Sequence, residues 1–125
     1  MTLRERRVLF SRLISELVLW IRAQGWEVAY DEVKILTPRA ARQGLKRIIV
    51  DDAVHRKNSF HYRGLAADLV LYVDLDHDGA SDDYVADGNH PAWKMIIDHW
   101  LSMHALCTNG TAWGDANHFS LGEGL

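Results

Sequence analysis

Asp68 stands inside the most apolar run of the sequence, Ala66–Val73, surrounded by Ala, Leu, Val and Tyr. An ionised carboxylate withdrawn from water there needs a cation, a set of hydrogen-bond donors or a raised pKa. His61 lies seven residues earlier, ahead of a turn at Gly64. A turn followed by a strand can bring that imidazole and the carboxylate to one point. From this segment alone, an ion pair from Asp68 to Arg63 or Arg56, or a hydrogen-bonded structural aspartate, accounts for the residue as well as a metal does.

A second segment shifts the balance. Trp113-Gly114-Asp115-Ala116-Asn117-His118-Phe119 sets a carboxylate three residues ahead of a histidine, outside any helical pattern. Two histidines and one carboxylate form a common catalytic zinc set, leaving a fourth position open for water. His61, Asp68 and His118 supply such a set, and Asp115 is then a second carboxylate beside the metal. A carboxylate so placed can take a proton from the activated water and pass it to a leaving amine. Alone, an Asp-x-x-His pair is common by chance.

Together the two segments point to a family. Ser59-Phe60-His61-Tyr62-Arg63-Gly64-Leu65-Ala66-Ala67-Asp68 resembles the Ser-x-His-x-x-Gly-x-Ala-x-Asp signature of the D-alanyl-D-alanine carboxypeptidase and L-alanyl-D-glutamate endopeptidase zinc metallopeptidases. That group includes phage endolysins and is similar in fold to the hedgehog signalling domain. Asp115 and His118 match its second motif, an acidic residue three positions before the last zinc ligand. Trp113-Gly114 and the run from Asn117 to Leu121 look like the short phage and prophage members, and the resemblance covers essentially the whole chain.

The resemblance implies one catalytic peptidase domain over residues 1–125, with zinc on His61, Asp68 and His118 and Asp115 as general base. Ser59 would order the His61 loop through hydrogen bonds. The implied substrate is the stem peptide of peptidoglycan, cut at the L-alanyl-D-glutamate bond. A D-alanyl-D-alanine carboxypeptidase or dipeptidase with the same zinc site is the enzyme alternative. One departure stands out: where the family carries an Arg ahead of a Thr/Ser-Pro helix start, Leu36 precedes Thr37-Pro38. Lys34, Arg39, Arg56 and Arg63 are the cations available to replace it. The missing Arg also raises a non-catalytic reading, a zinc-stabilised wall-binding module.

A further acidic segment, residues 74–82, has the Asp-x-Asp-x-Asp-Gly spacing of a calcium loop, with Asp74, Asp76, Asp78 and Asp82 as candidate oxygen ligands. Calcium there would be regulatory or stabilising. Val85 occupies the position where an EF-hand carries its bidentate Glu, and a solvated acidic loop is equally compatible. His55, His77, His90, His99 and His104 belong to no motif and read as structural, with His90 in a loop and His99 and His104 partly exposed or capping.

The elements that must position these residues follow from periodicity. Phe10, Leu13, Ile14, Leu17, Val18 and Ile21 predict an amphipathic helix over Leu3–Ala23, stopped at Gly25. Short strands are expected at residues 26–30 and 118–121, a buried central strand at Ala66–Val73, and a helix from Pro38 to Gly44. Trp93, Ile96, Ile97, Trp100 and Met103 predict a second major helix over residues 92–106 with its Trp residues in the core. Residues 74–90 and 108–114 read as loops. This order predicts an α+β fold, a small, mainly antiparallel sheet with packed helices.

Composition sets the outer limits. The chain has 125 residues, 48% hydrophobic and 25% charged, with formal net charge -3 and one cysteine, so no internal disulfide can form. Cys107 follows Ala105 and Leu106 and is expected to pack as a small apolar residue. The only basic cluster, Arg4, Arg6 and Arg7, is too small for a nucleic-acid footprint. Arg12, Glu16 and Arg22 interrupt the N-terminal apolar run, which argues against a signal peptide or stable membrane insertion. The expected molecule is a monomer. It would be made in a host bacterial cytoplasm and reach the wall after a holin-like membrane lesion, in keeping with a thin-walled Gram-negative host.

Overall fold

Thr2 starts the first helix by a reciprocal cap. Its hydroxyl accepts from the Glu5 N–H at 3.1 Å, and the Glu5 carboxylate accepts from the Thr2 N–H at 2.9 Å. In the computed structural model, which describes residues 1–31 and 64–122, this helix is α1, Leu3–Ala23. It buries Phe10, Leu13, Ile14, Leu17 and Ile21, the stripe expected from their spacing. Gly25 ends it with φ +89°, a conformation that a side chain would strain.

The strands are β1 (Glu27–Tyr30), β2 (Ala66–Val73), β3 (Asp83–Tyr84), β4 (Cys107–Gly110) and β5 (Asp115–Leu121). The second helix described, α2, spans Pro91–Met103. Every strand pairing among the described residues is antiparallel, in the order β1-β2-β5-β4, with β3 also on β2. Among the described residues, helices packed against a small antiparallel sheet make an α+β fold. The helix expected from Pro38 to Gly44 lies outside the described residues.

Burial along β2 alternates, with Leu69, Leu71 and Val73 sealed while the residues between them stay partly exposed. It is therefore a one-faced strand rather than one buried on both sides. The sealed face joins Val28, Cys107, Phe119 and Leu121 and packs against the apolar stripes of α1 and α2. Trp100 is fully buried there, edge-on to Phe10 at 6.0 Å and to Phe119 at 5.9 Å. Its indole N–H donates to the Thr108 carbonyl at 2.8 Å, so the largest core residue leaves no orphaned donor.

Four expectations change, the first being that the loop expected over residues 74–90 contains a short strand, β3, paired with β2. Residues 108–114 are not a plain loop: β4 occupies the first part and a 3-10 turn, Thr111–Trp113, the second. Asn and Gly are poor strand formers, and pairing with β5 overrides that local preference. The final strand begins at Asp115 rather than residue 118. Finally, α2 stops at Met103, where His104 turns extended and its Nδ1 accepts from the Leu106 N–H at 3.0 Å. No helix among the described residues is long and apolar enough to cross a membrane.

Candidate metal centre

Asp68 on β2 lies directly opposite His118 on β5 in the strand register. Both alternate with core residues, Leu69 and Phe119, so they leave the sheet on the face away from the helices. The Asp68 Oδ1 and His118 Nδ1 are 3.1 Å apart, and the two side chains keep 19% and 14% of their exposure. Asp68 is thus partly wetted rather than sealed in the core.

Asp115 needs a different device. In a regular strand, residues three apart point to opposite faces, which would send Asp115 and His118 apart. The β4–β5 register breaks between Asn109 and Gly110. Asn109 pairs with Phe119, whereas Gly110 pairs with Asp115 instead of His118. The resulting bulge brings Asp115 back to the His118 side. Its carboxylate, the Asp68 carboxylate and the His118 ring then offer ligand atoms all within 4.8 Å of one another.

The electrostatics suit a cation. Burial pushes the Asp115 carboxyl above its ordinary range, and the negative charges of Asp68 and Asp31 add to this, while His118 pulls the other way. Carboxylates crowded beside an imidazole at a half-buried point are a donor set that a divalent ion would relieve, and the N/O mixture fits zinc. The exposed Trp113 ring stands 6.0 Å from the His118 ring, at the rim of this cluster.

Of the residues expected at the site, Asp68, Asp115 and His118 come together. His61 and Ser59 lie outside the described residues, as do Leu36 and the candidate cations Lys34, Arg39, Arg56 and Arg63. Sequence reasoning missed Asp31, whose N–H donates to the Asp68 carbonyl at 2.9 Å and whose charge reaches Asp115. Asn109 was missed as well. Its Nδ2 donates to the carbonyls of Ala116 and His118, both at 2.8 Å, and the Asn-Gly pair was the one visible signal of irregular backbone.

The acidic loop closes on itself. Asp74, Asp76 and Asp78 form one oxygen cluster and Asp76, Asp82 and Asp83 another. Asp74 accepts from the N–H groups of Asp78 and Gly79 at 3.0 and 2.9 Å, and Asp83 accepts from those of Leu75 and Asp76 at 2.8 and 3.2 Å. Asp83, the first residue of β3, therefore closes the loop from outside the spacing pattern of residues 74–82. Val85 is buried and contributes no oxygen side chain. Among the remaining histidines, His90 lies in the loop as expected and caps α2 from there, accepting from the Ala92 N–H at 3.1 Å. His99 stacks on Trp20 at 4.2 Å, tying α2 to α1. No protein-family model matches the chain, and no curated protein matches it at a significant level.

Proposed function

We propose that the chain is a zinc-dependent peptidase of the endolysin type, hydrolysing the L-alanyl-D-glutamate bond of the peptidoglycan stem peptide. The observation that carries this reading is the convergence, within 4.8 Å, of side-chain atoms able to ligate a metal from Asp68, Asp115 and His118, residues of two motifs far apart in the chain. In this reading His61, Asp68 and His118 hold the ion and Ser59 orders the His61 loop. A bound zinc would supply Lewis acidity toward the scissile carbonyl and toward water. Asp115 moves the proton. Its carboxylate takes one from the attacking water and delivers it to the nitrogen of the departing amine. Burial and the neighbouring charges raise its pKa, the direction that favours proton uptake nearer neutrality. Synthesis in a host cytoplasm and action on the wall after release belong to the same proposal.

The test is digestion of purified peptidoglycan before and after chelation, with zinc then restored. Activity should vanish and return, and mass spectrometry should find new L-alanine carboxyl and D-glutamate amino termini. Release of terminal D-alanine instead would make the chain a carboxypeptidase. Asp115→Ala should abolish digestion while zinc content stays. A wild-type protein that holds zinc and digests nothing would be a binding module.

A smaller part of the proposal is calcium at the acidic loop, supported by the clustering of Asp74, Asp76 and Asp78. Calorimetric titration of zinc-loaded protein with calcium tests it. Absence of both heat and a melting-temperature shift removes it.

A further inference from the structure

Asn109 sits where β4 and β5 lose their regular pairing, and its side chain does what the broken ladder cannot. Its amide nitrogen donates to the Ala116 and His118 carbonyls, both at 2.8 Å. These two groups lie on the segment of β5 displaced by the register shift. The amide oxygen accepts from the Thr111 N–H at 2.9 Å and contacts the Thr111 hydroxyl. Both donors and the acceptor oxygen are thus committed. Turning the amide by half a rotation would set its NH2 against the Thr111 N–H and its oxygen against two carbonyls, so one orientation is imposed.

Gly110 completes the arrangement. A Cβ there would collide with the Asp115 carbonyl oxygen and stand 3.0 Å from the Cβ atoms of both Asp115 and His118. The backbone of β4 passes so close beneath these residues that only hydrogen fits. One side chain therefore holds the bulge from the side, and the next residue, having none, seats it from below.

We propose that Asn109 is a positioning residue for the metal centre: by holding the His118 carbonyl it fixes the bulged stretch of β5 that aims the proposed ligand His118 and brings Asp115 beside it, with Gly110 as the seat. The inference rests on the zinc reading above. It goes beyond that reading by assigning the site's geometry to a residue that neither ligates nor moves a proton. A simple turn stitch would stabilise the hairpin and leave metal affinity alone; a positioning residue changes metal affinity.

The experiment measures zinc affinity by competition with a chromophoric chelator, alongside the melting temperature of metal-free protein. It compares wild type with Asn109→Leu, which has nearly the same shape but no donors, and with Gly110→Ala. Thr108→Val is the control. It removes a hydroxyl bonded to Ser120 in the same hairpin, 3.1 Å to the carbonyl and 2.7 Å to the Ser120 Oγ, and reports what loosening the hairpin does by itself. Asn109→Leu and Gly110→Ala should bind zinc roughly ten- to a hundredfold more weakly, the usual effect of losing a group that orients ligands. Thr108→Val should melt lower and bind zinc as wild type does. Should Asn109→Leu fail to fold, Asn109→Ala takes its place under the same criterion. Zinc affinity unchanged in the Asn109 variant, or weakened only as far as in Thr108→Val, overturns the proposal. A wild type that binds no zinc overturns the zinc reading itself, and this inference with it.

Discussion

Asp115 carries a stability consequence that can be read without any metal. Its carboxyl is raised from the ordinary 3.8, first by burial and then by Asp68. Between that ordinary value and the raised one, the folded protein retains a proton that the unfolded chain has released. Stability of the metal-free protein therefore falls as pH rises through this interval. Asp115→Asn removes the titration. The metal-free variant should melt above wild type at neutral pH, and the difference should close at about pH 3, where both states of the wild-type residue are protonated. Thermal melts at the two pH values check it, and an equal difference at both would show that the charge is not responsible. Cys107 gives a second outcome at this scale. Burial pushes its thiol up to about 11, so alkylation near neutral pH should be slow in the native protein and rapid in denaturant.

Among the elements, α1 and β2 were legible and β4 was not. The α1 stripe repeats with helical period over its whole length, and the Thr2–Glu5 cap marks its start, so local chemistry and burial agree. Thr2→Ala should therefore cost about 1 kcal/mol, measured by urea denaturation. The segment Cys107–Gly110 has no such agreement, because its strand character comes from pairing with β5 across a bulge. Pattern reading along one chain does not see a register shift. For the same reason the pairing of Asp68 with His118 was accessible through motif resemblance, while the route that brings Asp115 to them was not. Asp31 offered no signal, since only its place at the end of β1 turns its charge toward the site. On β5, Phe119 is the core member next to His118. It is fully buried, with Trp93 at 6.1 Å and Trp100 at 5.9 Å. Phe119→Ala should cost about 3–5 kcal/mol.

Across the described molecule, the apolar core and the ligand cluster occupy opposite faces of one sheet. The helices fill the first face, and no member of the ligand cluster belongs to the core. On the proposed zinc reading, chelation should accordingly leave the far-ultraviolet circular dichroism unchanged and lower only the melting temperature. Bound ion should restore stability by about 2.7 kcal/mol at a free concentration one hundred times its dissociation constant, rising with the logarithm of concentration. A chain that loses its helical signal on chelation would contradict this separation. The Asn109–Gly110 pair has one more consequence, concerning ageing. Asparagine followed by glycine is prone to deamidation, because an unhindered glycine nitrogen can attack the side-chain carbonyl carbon and expel ammonia. In the folded protein the amide is pinned by its contacts with β5 and Thr111, so this reaction is held back. Once it has occurred, an acidic group stands where two N–H donors stood, facing carbonyl oxygen. On the proposed zinc reading, old preparations would thus weaken at the ligand cluster before they lose their fold, with the damaged molecules separable by charge.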